Sequence, residues 1–92
     1  MSEIEYEWDE DKRRTNLFKH GIDFSEVPKI FENRFVEFYD LEHSDFEDRW
    51  RVLGFLNDQV VICVYTIREN RRRVITARKA TSEETMLYFL NL

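Results

Sequence analysis

The chain has little to brace or interrupt it: one cysteine, one proline and two glycines in 92 residues. A single cysteine excludes an internal disulfide, so the fold must rest on packing alone. So few breakers exclude long irregular loops and predict short connections. No apolar run approaches bilayer-spanning length, and the start of the chain is acidic where a secretion signal would be basic. The expectation is a cytoplasmic protein with no membrane contact. Linkers, repeats and low-complexity stretches are also lacking, so residues 1–92 are expected to form one domain. A domain of this size buries roughly 60–65% of its unfolded surface, which suits one core but no deep enclosed pocket.

What is plentiful is aromatic and charged. Hydrophobic residues make up 42% and aromatics 15%, with eight Phe, four Tyr and two Trp, which argues for a packed globule rather than disorder. The formal net charge is −5, which by itself argues against a nucleic-acid partner. The distribution of charge reverses that. Residues 1–11 hold six acids (Glu3, Glu5, Glu7, Asp9, Glu10, Asp11) and no base. Residues 37–48 hold six more (Glu37, Asp40, Glu42, Asp45, Glu47, Asp48), again without Lys or Arg. Residues 68–79 hold six bases against the single acid Glu69. A positive stripe this dense can attract phosphate on an acidic molecule, because salt screens charge over about 10 Å. The acidic stretches would keep the protein soluble or meet basic parts of a partner.

Periodicity supplies the elements. Ile4 to Trp8 alternates apolar and acidic, as a strand with one wet face does. Asp9 is a helix N-cap, with acids in the first turn, and His20-Gly21 is the stop. A second short helix opens at Asp23 or Ser25 and runs through Phe31, with Pro28 tolerable only near its start. Strands follow at Phe35 to Tyr39 and Arg49 to Leu56, the latter with Arg49 and Arg51 on one face and Trp50 and Val52 on the other. Val60 to Ile67 is apolar on both faces, as a central strand is, and Cys63 within it is a core residue. Arg71 to Ala80 is the last strand. Asn57-Asp58 and Glu69-Asn70 are tight turns. Thr81 with Glu84 is a capping box that opens a final helix through Leu90. The order β-α-α-β-β-β-β-α implies an α+β fold, an antiparallel sheet with helices packed on it.

Two groups of residues then resemble a known family. Tyr6-Glu7-Trp8-Asp9-Glu10 with Lys12, followed by Asn16-Leu17, Lys19-His20-Gly21-Ile22 and Phe24, is similar to the opening of BrnT toxins. Val64-Tyr65-Thr66 with Arg68, followed by Arg73-Val74-Ile75-Thr76-Ala77-Arg78-Lys79-Ala80, resembles their core motif, and Thr81 with Glu84 the start of their last helix. The resemblance runs from Tyr6 to Glu84. It implies a RelE-like fold and a ribonuclease toxin that uses no metal and no cofactor. It also implies neutralisation by a BrnA-like antitoxin of ribbon-helix-helix type, two toxins with two antitoxins. DNA would be touched only through the antitoxin, and the complex would repress its own promoter. Thr76 stands where the family usually has Ser. Residues 85–90 are apolar where many members carry Arg or Lys, so this helix would pack in the core or on the partner.

Metal-free RNA cleavage must take a proton from the 2′-hydroxyl, stabilise a pentacoordinate phosphate and protonate the 5′-oxygen. Arginine suits the second task, because its planar fork donates two hydrogen bonds and keeps its charge. With a two-residue turn at Glu69-Asn70, Arg68 faces Arg71 and Thr66 faces Arg73. Thr66, Arg68, Arg71 and Arg73 then share one face, and Arg72, Thr76 and Arg78 share the other. A bulge would change this, since a slip of one residue swaps faces. Pattern alone therefore does not bring Arg78 to Arg68. The resemblance is what joins Arg68, Arg73 and Arg78 in one catalytic site, assisted by His20 and Lys19, with Arg71, Arg72 and Lys79 as RNA contacts. Read without it, these arginines are solvated edge residues that discourage aggregation. His20 and Lys19 equally suit the negative end of a helix dipole. Glu84 is accounted for by its cap, and Tyr6, Trp8, Trp50 and Tyr65 are core anchors. His43 sits among acids without metal-ligand spacing and is a loop residue. A different class of function stays open, a catalytically silent module that binds protein or nucleic acid through the Arg68–Lys79 stripe.

Overall fold

The computed structural model describes residues 4–92; Glu3, one of the N-terminal acids, lies outside them. The elements are β1 (Glu5–Glu7), α1 (Glu10–His20), a 3₁₀ helix (Phe24–Glu32), β2 (Phe35–Tyr39), a 3₁₀ turn (Leu41–His43), β3 (Arg49–Leu56), β4 (Gln59–Arg68), β5 (Arg71–Lys79) and α2 (Ser82–Leu90). The strands form one sheet in the order β1-β5-β4-β3-β2. The α+β class agrees with expectation, but the sheet is mixed. Strands β2 to β5 are antiparallel, and β1 runs parallel to β5. Alternation over three residues encodes a face and not a direction. Here the parallel register sets Glu5 beside Arg71 and Glu7 beside Arg73, so opposite charges lie side by side.

Local chemistry sets the ends. The Asp9 carboxylate accepts from the Asp11 and Lys12 amides at 2.9 and 3.2 Å, and Gly21 closes α1 in the left-handed region at φ +70°. The expected second helix is instead a long 3₁₀ helix. Pro28 lies in its middle, where it has no N–H to give and its ring would crowd an α-helical carbonyl. Phe24, Val27 and Ile30 recur every third residue, the period of a 3₁₀ turn, and all three are fully buried. Gly54 lets β3 approach this segment, since a Cβ there would stand 2.7 Å from Ile30 Cγ2. Both hairpin turns, Asn57-Asp58 and Glu69-Asn70, have positive φ at each central residue, which matches the right-handed strand twist.

Each face of the sheet packs its own core. The 3₁₀ helix covers Val52, Val61, Cys63, Tyr65, Val74 and Ala77, and α2 covers Leu53, Val60 and Ile62 through Tyr88. Helix α1 leaves Phe18 almost fully exposed and docks by a polar contact. The buried Asn16 amide donates to the Ala77 and Ile22 carbonyls at 2.8 and 2.9 Å, and its oxygen accepts from the Ala77 N–H at 3.2 Å. Asn16 thus serves the outer edge of β5 as a neighbouring strand would, beyond the point where β1 stops. Among the described residues no helix is long and apolar enough to cross a membrane.

Candidate RNA-binding face

The arrangement of the basic stripe turns on one residue. In the β4–β5 ladder Tyr65 faces Val74 while Val64 faces Thr76, so Ile75 is an extra residue, a β-bulge. Before the bulge, Arg71 and Arg73 stand opposite Arg68 and Thr66. After it, the parity of β5 is reversed. Thr76 and Arg78 stand opposite Val64 and Ile62, on the same face as Arg68 and Arg73, and Ala77 turns into the core opposite Cys63. The alternation without a bulge assigned Thr76 and Arg78 to the other face; Ile75 corrects that. Arg68, Arg71, Arg73 and Arg78 therefore share one side of the sheet.

Arg72 and Lys79 alternate to the opposite side. Arg72 pairs with Tyr6 in the β1 ladder, and its guanidinium carbon lies 3.7 Å from the centroid of the Phe31 ring. It also donates to the Tyr6 hydroxyl at 2.9 Å. This cation is held within the aromatic core, a structural use that the charge count concealed. Burial there raises the Tyr6 and Tyr65 hydroxyl pKa values. The Tyr65 hydroxyl donates to Glu37, which raises it further. Lys79 is exposed opposite Val61.

On the arginine face, the acidic stretches return as counterions. Arg71 Nε lies 2.9 Å from Glu5, Arg73 3.7 Å from Glu7, and Arg68 3.1 Å from Glu47. Arg78 holds Glu84 with two hydrogen bonds of 2.8 and 3.0 Å, while Glu84 also accepts from the Thr81 amide at 2.9 Å in the capping box. The Arg78 fork, backed by that amide, pulls the Glu84 pKa down to about 2 despite partial burial. The same bond raises the pKa of Arg78.

His20 and Lys19 lie at the C-terminus of α1, which fits the dipole reading, but they also line a groove of about 290 Å³. Its other walls are Asp11, Lys12, Thr15, Asn16 and the bulge residues Ile75 and Thr76. The groove therefore opens along the edge of β5, between the positions of Arg73 and Arg78 in that strand. His43 lies 3.0 Å from Asp40. Among the described residues no group of three or more His, Cys, Asp or Glu could hold a metal ion. Cys63 is fully buried, and burial pushes its thiol up to about 12, so it is no nucleophile at neutral pH.

Two arginines on this face were not among the expected site residues. Arg49 stands opposite Thr66 and Arg51 opposite Val64. The signal was available: a two-residue turn at Asn57-Asp58 pairs Leu56 with Gln59 and, counting outward, brings both arginines onto the Arg68 face. Successive rows across β3, β4 and β5 then read Arg49, Thr66, Arg73 and Arg51, Val64, Thr76. Rows are about 7 Å apart along the strands and neighbours about 5 Å apart across them, so these side chains can converge on one polyanion.

No curated protein matches the chain. A family model described as the ribonuclease toxin BrnT of type II toxin–antitoxin systems matches residues 8–84, which takes in α1, the bulge, Arg68, Arg73, Arg78 and the capping box. The chain belongs to the BrnT family of ribonuclease toxins of type II toxin–antitoxin systems.

Proposed function

We propose that this chain cleaves RNA without a metal ion, on the sheet face that carries Arg68, Arg73 and Arg78, and that a BrnA-like ribbon-helix-helix antitoxin restrains it. The observation that carries the reading is the bulge at Ile75, which sets those three guanidinium groups on one side of the sheet. The 2′-oxygen attacks the adjacent phosphorus, and its proton leaves to a base. As the new O2′–P bond forms, the P–O5′ bond breaks and O5′ takes a proton. The products are a 2′,3′-cyclic phosphate and a 5′-hydroxyl. Arginines stabilise the charge that builds on the phosphoryl oxygens, which take the places of the Glu47, Glu7 and Glu84 carboxylates beside them. His20 and Lys19, in the groove beside Thr76, serve the proton transfers, with the reacting nucleotide leaning over the edge of β5. Arg71 extends the RNA contact. The fold is RelE-like in this reading, and two toxins assemble with two antitoxins, which alone touch DNA.

The test is cleavage of a defined RNA by the purified chain with EDTA present. Cyclic-phosphate ends should persist under chelation, and Arg73→Ala or Arg78→Ala should slow cleavage by about 10²–10³-fold, the cost of losing one oxyanion donor. Loss of all activity with EDTA, or full activity in both variants, would refute it. A silent binding module is favoured by one feature, the exposed apolar side chains Met86, Phe89 and Leu90 on α2. Induced expression separates the two: growth arrest reversed by the neighbouring small gene product supports the enzyme, and harmless expression supports the module.

A further inference from the structure

We infer that Arg51 is an RNA-phosphate anchor on this face, holding a phosphodiester next to the one that is cut; this rests on the ribonuclease reading above. Arg49, Arg68, Arg71, Arg73 and Arg78 each lie within 4.0 Å of a carboxylate. Arg51, on the same face, has no such partner among the described residues. Its cross-strand neighbours are Phe38 and Val64, neither of them charged. An anion that approaches any of the five must displace a carboxylate, whereas one that approaches Arg51 displaces only water. The Arg51 Nε, like those of Arg49 and Arg72, is closed off from solvent, so an incoming phosphate would be met by the outer amino groups of the guanidinium. Arg51 stands one row from Arg49 and Arg73 and in the row of Thr76, so a strand of RNA that crosses from β5 to β3 meets it next.

The experiment reads binding apart from cleavage. A fully 2′-O-methylated RNA oligonucleotide, which has no attacking hydroxyl, is titrated by fluorescence anisotropy at several salt concentrations. Arg51→Gln should weaken binding about tenfold and lower the salt slope by about 0.7, as expected when one fewer phosphate of a single strand is neutralised. Arg14→Gln, on the exposed side of α1, should change neither. Unchanged affinity and slope in Arg51→Gln, with weaker binding in Arg73→Gln, overturns the anchor and leaves the ribonuclease reading standing. Absence of RNA binding by the wild-type chain overturns both. Should Arg51→Gln fail to fold, the Arg51 Nε–Hε NMR signal of the wild-type protein decides. A shift on addition of the oligonucleotide supports the anchor. A signal that stays still, or that moves only with an acidic peptide, overturns it.

Discussion

The two faces of the sheet handle the same side chain in opposite ways. On the face under the 3₁₀ helix, Arg72 lies against Phe31 at 3.7 Å and donates to Tyr6, so its charge is used within the core. On the other face its sequence neighbour Arg73 reaches outward, loosely paired to Glu7 at 3.7 Å. One face is closed by Phe24, Val27 and Ile30. The other is covered by α2 only over Leu53, Val60 and Ile62 and is left polar beyond. A basic stripe in the sequence is therefore not one functional unit. Alternation divides it, and a single bulge decides which arginines end together.

The comparison can be broken most severely by Ala77→Arg. The bulge turns Ala77 inward against Cys63, so the new guanidinium would be driven into a fully buried position. An unpaired charge in that core costs at least about 5 kcal/mol, comparable to the whole stability of a small domain. The expected outcome is a chain with no cooperative thermal transition. An Ala77→Arg variant that melts like the wild type would show that the bulge does not decide which residues of β5 face the core.

A smaller effect separates the two neighbouring arginines. Arg72→Ala removes the cation from the Phe31 ring and the hydrogen bond to Tyr6, together worth about 2 kcal/mol. In a domain of this length that lowers Tm by roughly 8–16 °C. Below the transition, RNA affinity and its salt slope should stay at wild-type values. A reduced slope with unchanged Tm would return Arg72 to the RNA-contact role that its place in the stripe suggested.

The parts legible from sequence were those set by chemistry within a few residues. The Asp9 cap, the Gly21 stop, both positive-φ turns and the Thr81 and Glu84 capping box each depend on neighbours in the chain, and so does the alternation of β2 and β3. What escaped was non-local. Nothing in Val74-Ile75-Thr76 announces a bulge, because the bulge exists only relative to β4. Three residues of β1 carry no mark of direction, and the pairing of Glu5, Glu7 and Glu47 with the stripe joins segments far apart in the chain. Among the candidate site residues, the motif resemblance grouped Arg68, Arg73 and Arg78, where periodicity separated Arg78 from the other two. Yet it passed over Arg51, which only the register of β3 brings to the same face.

The smallest effect probes how the open face holds its charge before RNA arrives. Glu84→Gln keeps an oxygen for the Thr81 amide, so the capping box survives while the ion pair to Arg78 is removed. Arg78 is partly exposed, so solvent screens the pair and its removal costs about 1 kcal/mol at neutral pH. The Glu84 pKa is depressed in the folded chain, from 4.5 to about 2. Its contribution is therefore fully present above the unfolded value and is lost as pH falls through that window, so wild type and variant should converge near pH 2 in denaturant midpoint. RNA affinity should move the other way. If phosphate takes Arg78 from Glu84, freeing the guanidinium should tighten binding of an uncleavable RNA even as the fold weakens. Opposite signs in the two measurements mark Glu84 as a counterion that RNA displaces. A fall in both would mean that Glu84 holds Arg78 in its binding position, and the carboxylates on this face would then be positioning groups rather than placeholders for phosphate.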